Sequence, residues 1–411
     1  MPRIAILAIL AVLAASLSLG VSGAAAAVPD DLSADPLDRA ALLALPSVYR
    51  VDVTIRVDAL RGGDGERIRL PRAARIVREA GTAFAVAPDG WLATARHVAA
   101  PEEATIARLA YQEKLIAEDR PHDDAVVDTL VKRVGPLHVD ARVQPLRVRP
   151  ADPGGSAGRI DYRALRLEPS RDADVALIRI DAPGAPTLGL DDAASVGTPV
   201  VTIGFGSGGA FGGGARGELE PVVRHGTLGR GATLEKAVPQ REVVAVNVPV
   251  QGGDSGAPVV DGRGLVHGVV VFRLTDGGVR RGVAEGAAEI RQLLDEEGLT
   301  PGPNPAAAAF REAMGAFWNL DMGRAQDGFR ATLAAFPGHT LAPREAARAA
   351  SLENVGFRLE GRPRRRGALL ALGILASAVA AGFAIALLRS VSGGDRGAGR
   401  PAGRGGTGAE H

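Results

Sequence analysis

The 411-residue sequence contains no cysteine, which excludes disulfides, zinc–thiolate sites and cysteine nucleophiles. It also lacks an excess of charge of either sign. Lys plus Arg number 48 against 47 Asp plus Glu, a formal net charge of +1, so no global field favours nucleic acid or acidic substrates. Lysine is nearly missing, occurring at Lys114, Lys132 and Lys236 alone. The other basic residues are arginines, a composition bias with little chemical content. No Gly-Lys-Ser/Thr follows the glycine-rich stretch 206–217, so it is no phosphate loop and reads as a mobile loop. His122 and His138 lack metal-ligand spacing and read as surface residues, and His225 reads as a loop residue. No metal or organic cofactor is expected. The length exceeds one compact domain and suffices for a sizeable core.

What is present centres on QGGDSGAPVV, residues 251–260, between the valine-rich runs VVAVNVPV and GLVHGVVVF. Two β-branched runs joined through glycines predict two buried strands presenting a tight turn. Ser255 lies between Gly253 and Gly256, where the backbone can take shapes closed to other residues. Chemistry at a carbonyl carbon needs such a turn, because an exposed hydroxyl must sit beside backbone N–H groups able to hold an oxyanion. Ser255 is the candidate nucleophile, and the N–H groups of Gly253 and Ser255 are the candidate oxyanion hole.

A nucleophilic serine needs a base, and the base needs an orienting carboxylate. GTAFAVAPDGWLATARHVA reads as strand, PDG turn and strand, and then delivers His97. DADVALIRI opens a short apolar strand at Asp174. The order His97, Asp174, Ser255 is that of the chymotrypsin arrangement. With their contexts, the three blocks resemble the signature blocks of trypsin-like serine proteases. The PSVYRVDVTIRVD opening from Pro46 is closer in style to the HtrA-like envelope proteases, although no PDZ-like region follows.

The resemblance implies a mainly β protein with two six-stranded antiparallel barrels. It carries the nucleophile to Ser255, the base to His97 and the orienting acid to Asp174. Many secreted trypsin relatives are disulfide-stapled, and this chain must rely on packing. In trypsin a liberated N-terminus docks on the residue matching Asp254. No such terminus is obvious here, so Asp254 is expected to pair internally without an activating cleavage. Counting back from Ser255 puts Pro249 and Val250 at the floor and wall of the specificity pocket, and Val271, Phe272 and Arg273 on the substrate-pairing strand. Trypsin has an aspartate where Pro249 stands, so cleavage after apolar or small residues is expected, with acidic specificity through Arg273 as the alternative.

The rest of the chain organises around this domain, 46–298. Residues 1–27 resemble a secretory signal peptide, the alternative being an uncleaved anchor, and 28–45 form a lead-in. Residues 101–135 show helical spacing at Ile106, Leu109, Ala110 and Leu115, then at Val126, Val127, Leu130 and Val131, which predicts a helical insertion beside the site. The domain should close with a helix over 284–297, followed by a linker. Residues 303–356 predict a helical hairpin whose Ala325, Phe329 and Pro337 resemble a tetratricopeptide repeat, a possible surface for a protein partner. A plain hairpin packed on the protease is the other reading. The uncharged apolar run 367–388 would extend about 33 Å as a helix, enough for a hydrocarbon core of about 30 Å, and 389–411 should be a disordered tail. Together these features predict a membrane-anchored endopeptidase of the cell envelope, on the extracytoplasmic (periplasmic) side, acting on polypeptides. A catalytically silent trypsin-fold scaffold and a non-peptide acyl hydrolase remain the alternatives.

Overall fold

The computed structural model describes residues 35–354, apart from 153–159, 194, 207–219, 235–240 and 277–278. The signal-like segment 1–27, the apolar run 367–388, the tail and all but the first residue of the glycine-rich stretch 206–217 lie outside the described residues. Among the described residues no helix is long and apolar enough to cross a membrane.

A helix α1 (Pro36–Ala44), capped by the Asp35 carboxylate on Leu37 N, leads into the first strand. That strand, β1 (Val48–Arg61), buries Val51, Val53, Ile55 and Val57 while Arg56 faces out. Such period-two alternation is what a strand with one covered face requires. Around it run β2 (Arg67–Ile68), β3 (Ile76–Ala87), β4 (Trp91–Ala95), β5 (His138–Val143), β6 (Arg147–Pro150), β7 (Tyr162–Arg163), β8 (Arg166–Pro169) and β9 (Val175–Arg179). The sheet order is β7-β6-β1-β3-β4-β9-β8, with β2 and β5 also on β1. The PDG turn between β3 and β4 holds Asp89 and Gly90 at positive φ. A Cβ on Gly90 would lie 2.3 Å from Ile180 O, so only glycine fits there.

The second sheet comprises β10 (Gly189–Leu190), β11 (Pro199–Gly204), β12 (Val222–Leu234), β13 (Arg241–Val246), β14 (Pro258–Asp261), β15 (Leu265–Asp276) and β16 (Val279–Gly286). Its path is β15-β14-β11-β12-β13-β16, and β16 pairs back onto β15. Six strands thus close into a barrel with no free edge. The first sheet corrects the expectation of two such barrels. Its edge strands β7 and β8 are short consecutive pieces of one segment. That segment turns from Leu146, whose carbonyl accepts Ala164 N at 3.1 Å, to Arg179, whose carbonyl accepts Leu165 N at 2.8 Å. Two residues of β7 ladder cannot make a sixth regular stave, and the sheet stays a half-barrel.

After β4 come a short helix α2 (Arg96–Ala99) and two longer ones, α3 (Glu103–Ala117) and α4 (Asp124–Val134). The α3 helix buries Ile106, Ala107, Ala110, Tyr111 and Leu115, and Asp123 caps α4 on Val126 N at 3.0 Å. The closing helix α5 (Ala287–Glu296) starts later than its sequence pattern predicts, because β16 runs on to Gly286. Three further helices follow: α6 (Pro305–Trp318), α7 (Met322–Ala335) and α8 (Ala342–Asn354). Their Phe310, Phe317 and Phe329 belong to the same apolar cluster as the half-barrel. The segment before α6 is fixed in place. Asn304 accepts Ala307 N and donates to Gly184 O and Ala185 O, while Thr187 Oγ1 donates to Gly302 O at 2.5 Å.

Candidate active site

β4 and β9 pair Ala95 with Val175, so the residues just beyond that pair, His97 and Asp174, leave the sheet at one place. The Asp174 carboxylate takes two bonds from His97: Oδ1 accepts the backbone N–H at 2.9 Å, and Oδ2 lies 2.8 Å from Nδ1. Arg96 N donates to the Asp174 carbonyl at 3.1 Å. With Nδ1–H committed to the carboxylate, the lone pair belongs to Nε2, the tautomer a general base requires. The imidazole is 38% exposed and the carboxylate 17%, so the ring is open to a reactant while its anchor is covered. Glu79 of β3 stands near enough for His97 to pull its carboxyl down. Desolvation and the nearby charge of Glu113 on α3 outweigh that pull and hold Glu79 above the usual carboxylate range.

Ser255 sits in the turn between β13 and β14, where Gly253 and Gly256 have φ of +94° and +90°. The half-barrel clamps this turn. Thr82 N donates to Ser255 O at 2.8 Å, Thr82 Oγ1 donates to Gly253 O at 2.8 Å, and Thr94 Oγ1 donates to Thr82 O at 2.6 Å. A Cβ on Gly256 would lie 1.8 Å from Thr82 O, so the close approach demands glycine. A Cβ on Gly81 would meet both methyls of Val98, next to His97, and Ser255 O at 3.1 Å. The structure therefore brings the serine turn to the strand that packs on the histidine helix. The Ser255 hydroxyl itself donates to Val271 O at 3.4 Å, and among the described residues it makes no hydrogen bond to His97. The N–H groups of Gly253 and Ser255 make no hydrogen bond among the described residues.

Beneath the turn Asp254 is 1% exposed. Its Oδ1 accepts Arg224 at 2.9 Å and Gly206 N at 2.9 Å, and its Oδ2 accepts Gln251 N at 2.8 Å. Burial pushes this carboxyl up, against the opposing pull of the Gln251 and Gly206 N–H groups and Arg224. Sequence reasoning missed Thr82, Thr94 and Arg224. Of the pocket residues read from the sequence, Pro249 is exposed, while Val250 and Val271 are packed inside. Phe272 and Arg273 lie on β15 opposite Val283 and Gly282, and their side chains lie outside the described residues.

Three groups sit close enough to hold a metal ion: Asp191, Asp261 and His267. The Arg263 guanidinium already bonds both carboxylates there, a cation in the place a metal would need.

Residues 81–269 match the family model described as a trypsin-like peptidase domain. No curated protein matches the chain. Among solved structures, the active form of the Rv3671c protease from M. tuberculosis overlaps at 19% identity, 65% of this chain, 88% of that one and a TM-score of 0.39. A crystal structure of an inactive form of Rv3671c, a serine-to-alanine mutant, gives 18%, 63%, 90% and 0.38. The HtrA-type protease AlgW with a decapeptide gives 18%, 64%, 68% and 0.40. The family match places a trypsin-like peptidase domain over residues 81–269 of this chain.

Proposed function

We propose that the protein is a membrane-tethered extracytoplasmic serine endopeptidase with His97, Asp174 and Ser255 as its catalytic residues. The 2.8 Å contact between His97 Nδ1 and Asp174 Oδ2 carries the reading, because it leaves Nε2 basic on the wall that clamps the Ser255 turn. In the proposed cycle Nε2 takes the Ser255 proton as Oγ attacks the scissile carbonyl. The carbonyl oxygen becomes an anion facing the N–H groups of Gly253 and Ser255. Asp174 stabilises the imidazolium, which returns the proton to the leaving amine, and water then releases the acyl group by the same steps.

For this cycle the Ser255 hydroxyl must exchange its 3.4 Å bond to Val271 O for one to His97. Catalytic hydrogen bonds are often loose until substrate arrives. The same bond favours a second reading, a catalytically silent scaffold. The uncharged Pro249 supports cleavage after apolar or small residues. The signal-like segment 1–27 and the apolar run 367–388 support export and tethering, and the helical segment 303–356, TPR-like in sequence, would meet a protein partner only by the side not packed on the peptidase domain. The arginines at 358, 362 and 364–366 pull the other way by the positive-inside rule. A proteome-derived peptide library, run beside Ser255→Ala, tests the function. Cleavage after apolar residues that vanishes in the variant is expected, and no serine-dependent cleavage would refute it.

A further inference from the structure

Glu285 is a buried carboxylate that the cycle above does not use. It lies on β16 opposite Val269 of β15, with 0% exposure. A carboxylate withdrawn from water costs roughly several kcal/mol, so its place in the fold calls for an account. Its Oε1 accepts the backbone N–H of Asp174 at 3.2 Å. This bond crosses from the barrel to the half-barrel and ends on the residue whose two carboxylate oxygens hold His97.

The turn entering Asp174 explains why an outside acceptor is needed there. Ser170 Oγ accepts the N–H groups of Asp172 and Ala173 at 3.3 and 3.1 Å. The next N–H, that of Asp174, goes to Glu285. The Asp174 carbonyl is held on its other side by Arg96 N at 3.1 Å. With both peptide groups fixed, the direction in which Asp174 presents its carboxylate is fixed as well. Without Glu285 the N–H would face a covered interface unpaired, a situation that turns a backbone to find water or another acceptor.

We propose that Glu285 is a positioning residue for the catalytic pair, holding the Asp174 backbone from across the interface between the two sheets so that the carboxylate meets His97 Nδ1. The inference rests on the reading of His97 as base and Asp174 as its orienting acid. It makes the acceptor atom essential and the charge dispensable. Glutamine keeps an acceptor at the same reach, and methionine keeps the volume without one.

The test compares Glu285→Met and Glu285→Gln in the full chain, with active sites counted by fluorophosphonate titration so that unfolded molecules do not enter. Glu285→Met should lower kcat about 10- to 100-fold with KM little changed, since a misplacement on the order of 1 Å costs about that much. It should also abolish or broaden the far-downfield proton resonance of His97 Nδ1. Glu285→Gln should restore both. A Met variant with wild-type kcat and a sharp resonance would overturn the proposal. So would a Gln variant as impaired as the Met one, which would assign the effect to charge. Glu285→Thr, too short to reach, replaces the Met variant if that fails to fold. The resonance reads the His97–Asp174 geometry whether or not the protein turns over substrate. A silent wild type would therefore sink the proposed function while this comparison still decides the role of Glu285.

Discussion

At the scale of single residues, the covered side chains under the serine turn matter as much as the exposed ones. Asp254 holds Gln251 N and Gly206 N from below and is itself neutralised by Arg224. A Cβ on Gly206 would lie 2.4 Å from Asp254 Oδ1, so a larger residue there would push the carboxylate off its partners. Arg224→Met should cost about 3–5 kcal/mol, because it leaves a buried charge uncompensated. Urea unfolding measures this, and a loss below about 1 kcal/mol would show that water or another cation takes over. The need for an internal partner to Asp254 was legible from an opening strand, PSVYRVDVTIRVD, in the HtrA-like style. The identity of that partner was not, because Arg224 is one of many arginines and only the β11–β12 pairing brings it beside the turn. That His97 and Asp174 lie together was legible because the apolar strands β4 and β9 run beside them and pair at Ala95 and Val175. Thr82 and Thr94 were not, since an inward threonine reads like any β-branched strand residue.

Among the elements, the serine turn and the start of α8 lead to different measurements. Gly256→Ala places a Cβ 1.8 Å from Thr82 O at a φ of +90°. Backbone must move to admit it, so turnover should fall at least about 100-fold while the barrel stays folded. Circular dichroism beside a kinetic assay checks both halves. At α8 the buried His339 ring lies 4.4 Å from Phe310, and its Nδ1 accepts Leu341 N and Ala342 N at 3.3 and 3.0 Å. Burial lowers its pKa to about 3 from 6.5. The folded protein therefore binds fewer protons than the unfolded chain between these values. Stability is fully present above about pH 6.5 and is lost as pH falls toward 3, by at most about 1.4 kcal/mol per pH unit from this group. Urea midpoints from pH 7 to 4 should fall less steeply in His339→Asn than in the wild type. Equal slopes would remove His339 from the account. The strands and helices themselves followed their hydrophobic periods, and the half-barrel did not. Closure depends on how the segment 162–169 divides its bonds between two edges, which no local pattern encodes.

For the whole molecule, the helices after the peptidase domain share its core. Arg39 of α1 stacks 4.9 Å over Trp318, Arg311 donates to Arg263 O, and Asn304 fastens the chain to the turn at Gly184. Removing residues 299–411 should therefore lower the melting temperature by at least about 5 °C, the equivalent of a few kcal/mol at this size. An unchanged melting temperature would show that the peptidase domain is complete without the helices. Reporter fusions at the 301 linker and at His411 address the proposed topology: an exported linker and an internal terminus fit it, and an exported His411 refutes it. The central claim is that His97, held by Asp174, activates Ser255, and covalent labelling tests it most directly. A fluorophosphonate probe followed by peptide mapping should modify Ser255 alone in the wild type. Labelling should fall by at least about 10³-fold in His97→Ala, since members of such a unit fail together. Absence of label at Ser255, or equal labelling without His97, would contradict the account.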